Sequence, residues 1–252
     1  MKILGFITVR TMSDRLPQKT LLSIKNQRII EHIIDRAKLI RGLDDVVVCT
    51  SDQSEDDILE SIAKEKGVPY FRGSLEDKLE RFQGAVNKFG ADYFLVIDAD
   101  DLFFDPEIYE LAIEQIKKDP CDIIKSPDGL ALGAFTFCIN ASALKQVVES
   151  KNTGDTEMYE AFFLKEGRFD VKDLAVIDPI FFNDRVRLTL DYQEDLDFFR
   201  RVFDEFPITI NNIPLREILK FLNQKPKIAK INLFRHRDYL AKREIMRAKT
   251  EV

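Results

Sequence analysis

Cysteine is scarce in this chain of 252 residues: Cys49, Cys121 and Cys138 are scattered along it. So few, so placed, exclude a disulfide framework and a cysteine-ligated metal site. Two histidines, His32 and His236, are too few for a histidine-based zinc centre. No apolar run approaches the ~18 residues of a membrane span. The run Ile3–Val9 is also too short for the core of a secretory signal, and no small-residue cleavage pattern follows it. Neither GxxxxGK nor GxGxxG occurs, so the P-loop and the dinucleotide fingerprint are both absent. These absences predict a soluble protein working in a reducing cytoplasm, with no membrane partner.

The composition is that of an ordinary globular protein, 45% hydrophobic and 33% charged, which rules out collagen-like and wholly disordered chains. The formal charge is −6, unevenly spread. From Asn212 to Val252 there are eleven Lys or Arg against four Asp or Glu, so the remainder carries a net charge of −13. No aromatic-interleaved basic motif of an RNA-binding module is present. The basic tail therefore reads as a solvated helical face balancing an acidic body, and no nucleic-acid partner is expected.

Strand-like and helix-like segments alternate through the first half. Lys2–Val9, Val46–Cys49, Pro69–Phe71, Tyr93–Ile97 and Ile123–Ile124 read as strands, the first as apolar as a strand buried on both faces, the second also buried and the fourth strong. Arg28–Ile40, a segment started by Ser54 with Asp57 and continued by Ile58, Ile62 and Ala63, Leu75–Phe89 and Pro106–Lys117 read as the helices between them. That alternation predicts an α/β fold with a mostly parallel sheet and ligands beyond the carboxyl ends of its strands. Functional residues are thus expected just after Val9, Cys49 and Ile97. Further on, Gly133–Ile139, Val171–Val176 and Arg187–Leu190 read as strands. Ala141–Glu149, Glu157–Lys165 and Glu194–Phe206 read as helices, with two or three basic helices after Pro214. The expected division is residues 1–211 as the catalytic unit and 212–252 as a helical appendage.

Chemistry concentrates where those strands end. After the first comes Arg10-Thr-Met-Ser13-Asp-Arg15-Leu16-Pro17-Gln-Lys19, three cations on an irregular loop. Guanidinium forks and an ammonium at such a place suit phosphate oxygens. After Ile97 comes Asp98-Ala99-Asp100-Asp101. If the strand continues, Asp98 and Asp100 point one way and Asp101 the other. Carboxylates so crowded repel unless a hard, oxygen-seeking cation such as magnesium joins them. Asp191, at the end of the short strand Arg187–Leu190, is the candidate second ligand. Phe71-Arg72-Gly73-Ser74, before the helix carrying Arg81, is placed to offer backbone N–H groups to a nucleotide.

The loop Arg10-x-x-Ser13-x-Arg15-Leu16-Pro17-x-Lys19 resembles the signature of cytidylyltransferases that make CMP-activated sugar acids. It is most similar to the 3-deoxy-manno-octulosonate and spore-coat-polysaccharide types. Thr50-Ser51-Asp52, Gly67-Val68-Pro69-x-Phe71-Arg72-Gly73-Ser74-x-x-Asp77, Asp98-x-Asp100 with Asp105-Pro106, and Leu188-Thr189-x-Asp191-Tyr192-x-Glu194-Asp195 agree in order and spacing. The ending, Phe221-Leu222-Asn223 through Ile231-Asn232, is also similar to the spore-coat type. The resemblance implies a Rossmann-like nucleotidyltransferase that couples CTP to a small anionic acceptor, in surface-polysaccharide precursor synthesis and as a homodimer. It implies that Arg10, Arg15 and Lys19 act on the triphosphate, and that Ser13, Arg72, Gly73, Ser74, Asp77 and Asp98 contribute to nucleotide binding. Asp100 and Asp191 would then coordinate Mg2+, and residues 127–184 would supply the acceptor pocket and a dimer contact.

The chain departs from that pattern at Ala99-Asp100-Asp101-Leu102, where the sugar-acid enzymes usually have Gly-Asp followed by a proline. The histidine-rich acceptor elements of the octulosonate type are also absent. Three other readings remain. Asp98-Ala-Asp100 is the DxD of a metal-dependent glycosyltransferase using a nucleotide-sugar. A nucleotidyltransferase acting on a phosphonate or a sugar phosphate is the second. A non-catalytic nucleotide-binding protein is the third.

Overall fold

The structure, a computed structural model, describes residues 1–13, 15–165, 167–206 and 212–249. In chain order the strands are β1 (Ile3–Thr8), β2 (Ser23–Ile24), β3 (Gln27–Arg28), β4 (Asp45–Ser51), β5 (Tyr70–Gly73), β6 (Tyr93–Asp98), β7 (Ile123–Lys125), β8 (Phe137–Asn140) and β9 (Val171–Asp173). The helices are α1 (Ile29–Ala37), α2 (Asp57–Glu65), α3 (Lys78–Phe89), α4 (Pro106–Lys118), α5 (Ala141–Ser150), α6 (Glu160–Phe163), α7 (Gln193–Glu205), α8 (Leu215–Gln224), α9 (Pro226–Leu233) and α10 (Arg235–Lys249).

Every residue of β1 is buried, as its unbroken apolar run requires. It lies parallel between β4 and β6, with Phe6 opposite both Val47 and Val96. The seven-stranded sheet runs β5-β4-β1-β6-β8-β7-β9. Because successive side chains point to opposite faces, Ile3 and Ile7 enter one core and Leu4 and Phe6 the other. The first core takes the apolar faces of α1, α2, α4 and α7 to α9, and the second those of α3, α5 and α6. Each buried Leu, Ile or Phe contributes about 1.5–3 kcal/mol. This is the Rossmann-like, mostly parallel sheet flanked by helices that the alternation predicts.

The irregular second half differs from expectation in instructive ways. Of the strand expected over Gly133–Ile139, only Phe137–Asn140 forms, antiparallel to β6 with Cys138 opposite Leu95. Gly133 has φ +91°, which ends extended pairing there, and Ala134 N–H turns back to the carbonyl of Ala131. Arg187–Leu190 is extended but joins no strand of the sheet. Leu188 N–H donates to Leu132 and Leu190 N–H to Asp100, so it laces two loops together. The helix expected over Glu157–Lys165 reduces to Glu160–Phe163. β2 and β3 form a hairpin not anticipated from the sequence. Lys25 and Asn26 both have positive φ there, as a two-residue primed turn requires. Among the described residues no helix is long and apolar enough to cross a membrane.

Candidate active site

The carboxyl ends of β1 and β6 open into the site, and β4 supports it from beside. Asp56, fully buried, accepts from Thr11 N–H and hydroxyl at 2.7 Å through one oxygen. Its other oxygen accepts from the Ser51 hydroxyl at 2.5 Å. Burial opposes the charge of Asp56, but these hydrogen bonds outweigh it and hold the carboxyl below its ordinary range. The segment after β4 therefore anchors the cationic loop instead of touching the cleft.

Lys19 begins a short 3-10 turn and becomes the hub of the site. Its ammonium donates to Asp100 Oδ2 at 2.6 Å, to the Leu190 carbonyl at 2.7 Å and to Asp191 Oδ1 at 3.1 Å. Burial disfavours the ammonium, but Asp100 and Asp191 outweigh it and raise its pKa to about 12. Arg15 Nη2 reaches the same Asp191 Oδ1 at 2.5 Å. Asp191 is buried, yet Lys19, Arg15 and Arg187 keep its carboxyl below the ordinary value.

Behind Asp191 lies a polar frame that sequence reasoning missed. Arg187, fully buried, donates to Asp191 Oδ2 at 2.8 Å and to Asp195 Oδ1 at 2.9 Å. Asp195 Oδ2 accepts from the backbone N–H groups of Asp191 and Tyr192 at 2.8 and 2.9 Å. Asn232 on α9 donates to Asp195 Oδ1 at 2.8 Å and to the Arg187 carbonyl at 3.0 Å. The signal was present as Asp195 and Asn232 within the matching stretches, but nothing along the chain says that they meet.

β6 ends at Asp98, and Asp101 N–H turns back to the Asp98 carbonyl. Because the strand stops, Asp101 does not point away as extended geometry predicts, and it lines the site with Asp98 and Asp100. Burial raises the Asp98 carboxyl to about 6, with Lys78 opposing and Asp100 and Glu160 adding to the rise. Asp101 is pushed well above its ordinary value by burial and then by Asp100 and Asp98.

Two adjoining cavities meet here. One, of about 350 Å³, is lined by Arg10, Ser13, Arg15, Lys19, Asp98 and Asp100, joined by Lys78, Arg81 and Glu157. Glu157 stands against Arg10 at 3.4 Å, and its carboxyl is lowered by Lys78 first and then, against burial, by Arg10 and Arg81. The larger, of about 620 Å³, is walled by residues of the 126–137 loop, by Met158 to Glu160 and by α10, with Asp191 at its base.

Arg72, Gly73, Ser74 and Asp77 line neither cavity. Arg72, on the edge strand β5, donates to the carbonyls of Ser51 and Gln53 and pairs with Asp57 at 2.6 Å. Gly73 allows α3 to approach: a Cβ there would meet the Phe71 ring at 2.9 Å and Arg81 Cα at 3.3 Å. The Ser74 carbonyl accepts from Arg81 at 2.5 Å, and Asp77 caps α3 through Glu80 N–H while pairing with Lys151. The stretch therefore positions Arg81 and α3, one residue set behind the cleft. Lys78, which does line it, was missed although it follows the helix cap directly.

Asp100 and Asp191 share one ammonium and so stand within a single cation's reach. Burial first, and the neighbouring Asp100 after it, raises the carboxyls of Asp98 and Asp101 beside them. Among the described residues no three acidic, histidine or cysteine side chains converge as a complete ligand set. Two carboxylates with phosphate oxygens and water completing the shell is how magnesium is commonly held, so the donor set fits a hard divalent cation.

An uncharacterized protein of Methanocaldococcus jannaschii is 28% identical over 92% of this chain and 95% of its own length. The spore coat polysaccharide biosynthesis protein SpsF of Bacillus subtilis is 26% identical over 90% of this chain and 96% of its own. A cytidylyltransferase structure from Leptospira borgpetersenii superposes with a TM-score of 0.84 at 22% identity, covering 91% of this chain and 97% of that one. The profile of the cytidylyltransferase family matches residues 4–213, and with the cation loop and the paired aspartates on one rim, the chain belongs to that family of nucleotidyltransferases.

Proposed function

We propose that the protein transfers CMP from CTP to a sugar acid, releases pyrophosphate and uses Mg2+, in the synthesis of a surface polysaccharide or related glycoconjugate. The observation that carries this reading is Lys19, joined to both Asp100 and Asp191 at the rim where Arg10 and Arg15 also stand. The triphosphate takes the smaller cavity, where it replaces the single carboxylate of Glu157 as the counter-charge to Arg10, Lys78 and Arg81. The acceptor takes the larger one. Likeness of the signature loop to the sugar-acid and spore-coat types supports both the base and the acceptor class. Homodimer formation and the division at residues 211 and 212 belong to the same proposal.

An acceptor hydroxyl oxygen forms a bond to the α-phosphorus, the bond to the bridging oxygen of the β-phosphate breaks, and the hydroxyl proton passes to solvent. Asp100 and Asp191 would hold the divalent ion, which neutralises phosphate charge when bound. Lys19 approaches the α-phosphate, while Arg10 and Arg15 grip the leaving oxygens. Arg187, through Asp191, fixes the carboxylate so that little reorganisation remains at the moment of reaction. Positioning and charge stabilisation supply the catalysis, since no nucleophile of the protein is needed.

The test is thermal unfolding with each of four NTPs, with and without magnesium, followed by pyrophosphate release with sugar acids. Stabilisation by CTP that magnesium enhances is the expected result. Preference for a UDP-sugar, with no pyrophosphate from CTP, refutes the proposal in favour of a glycosyltransferase.

A further inference from the structure

The matched family region stops at residue 213, yet α10 forms a wall of the larger cavity. His236, Tyr239, Lys242, Arg243 and Met246 line it, and their spacing puts them on one helical face. Two ion pairs fasten that face across the cleft. Arg235 pairs with Glu194 in the first turn of α7 at 2.8 Å, and Arg243 pairs with Glu160 of α6. About 12 Å of helix spans the interval between them. The position of α10 is therefore built, and what it presents to the cavity follows from it.

Among the described residues eight Asp and Glu side chains line the larger cavity, an adverse setting for an anionic acceptor unless a cation receives it. Most of its cations are committed. Arg15 pairs with Asp191, and Arg243 with Glu160. Lys78 faces Asp98 at 3.8 Å and lies 4.7 Å from the centre of the Tyr159 ring. Lys242 stands at the junction of the two cavities, half-buried, with no ion pair among the described residues. Two further groups on these walls, the buried Tyr159 hydroxyl and His236 Nδ1, have no hydrogen-bond partner among the described residues. The triphosphate side has Arg10, Lys19 and Arg81 on its own wall and needs no further cation.

The geometry points to Lys242 as the residue that receives the acceptor's carboxylate, which makes α10 the acceptor-selecting element of this enzyme. Tyr159 and His236 are then the polar partners for the acceptor's hydroxyl groups. The assignment rests on the cytidylyltransferase reading above, with a sugar acid as acceptor.

The test is calorimetric titration of 3-deoxy-manno-octulosonate, and of its uncharged carboxamide, into protein saturated with magnesium and a CTP analogue whose α,β-bridge is methylene. Wild type and Lys242→Gln are compared, and Lys242→Arg serves as the conservative rescue. Lys242→Gln is expected to weaken the sugar acid by about tenfold or more, the scale of one charge-assisted contact. Arginine should restore most of the loss, the carboxamide should bind both proteins alike, and affinity for the analogue should stay within about twofold. Equal binding of the sugar acid by wild type and Lys242→Gln overturns the assignment while leaving the nucleotide reading intact. Loss of analogue affinity in Lys242→Gln also overturns it, by placing Lys242 on the triphosphate. Wild type that binds the analogue but neither acceptor overturns the acceptor half of both proposals. Wild type that binds no analogue overturns the cytidylyltransferase reading itself.

Discussion

Asp98 stands half-buried where β6 ends, and burial raises its carboxyl to about 6, against the pull of Lys78. An unfolded aspartate titrates near ~3.9. Its folded pKa is the higher one, so its contribution to stability is full below about pH 4 and is lost as pH rises through about 6. Asp98→Asn removes that loss. In thermal unfolding without nucleotide, the melting temperature of Asp98→Asn relative to wild type should climb between about pH 4 and pH 6 and level off above. A difference independent of pH would contradict the argument. Asp100→Asn, by contrast, keeps the shape of a half-exposed side chain and removes a charge from the reacting centre. Pyrophosphate release should fall by about 100-fold or more while the melting temperature changes little. At this scale the sequence was informative where chemistry sits on one local run: Arg10, Ser13, Arg15, Lys19, Asp98 and Asp100 all line one cavity. It was uninformative about Arg187, because a buried arginine is recognisable only once the aspartates on either side of its guanidinium are brought there by folding.

Elements meet through single polar side chains that serve two of them at once. Asp105 caps α4 by accepting from Glu107 and Ile108 N–H groups, as the Asp-Pro pair in the sequence suggests. Its other oxygen accepts from Leu215 N–H at 2.7 Å, at the start of α8, which nothing in the sequence suggests. Asp105→Ala therefore orphans donors at two helix ends and should cost about 2–4 kcal/mol in denaturant unfolding, more than a lone cap. An effect near ~1 kcal/mol would show that the second contact contributes nothing. The β–α alternation was legible up to Ile124, because parallel strands buried on both faces are unbroken apolar runs. Beyond it legibility failed for a physical reason: Phe137–Asn140 pairs antiparallel, and Arg187–Leu190 is held by carbonyls of Leu132 and Asp100 far away in the chain. Extended segments of that kind carry no period of their own.

Across the whole molecule, the rim of Lys19, Asp100 and Asp191 and the stability of the C-terminal helices share one network. Lys19 bridges Asp100 and Asp191; Asp191 is held by Arg187, Arg187 by Asp195, and Asp195 by Asn232 of α9. Lys19 thus occupies with its ammonium the interval between the two carboxylates assigned to the divalent ion. Magnesium alone must compete with that internal cation, whereas CTP offers the ammonium a phosphate and frees the carboxylates. Metal and nucleotide binding are then mutually reinforcing, by a coupling that is reciprocal. In wild type, magnesium alone should shift the melting temperature little, CTP alone modestly, and the two together by more than the sum. At 100 times the dissociation constant the combined ligand contributes about 2.7 kcal/mol. Lys19→Met reverses the order. Without metal, Asp100 and the buried Asp191 lose a shared partner, and the variant should be less stable by about 3–5 kcal/mol. Magnesium or manganese alone should now restore much of that loss, while pyrophosphate release from CTP stays depressed because the α-phosphate has lost its ammonium. A Lys19→Met protein indifferent to divalent ions would show that Asp100 and Asp191 are not a metal pair, and that the ammonium is their permanent partner.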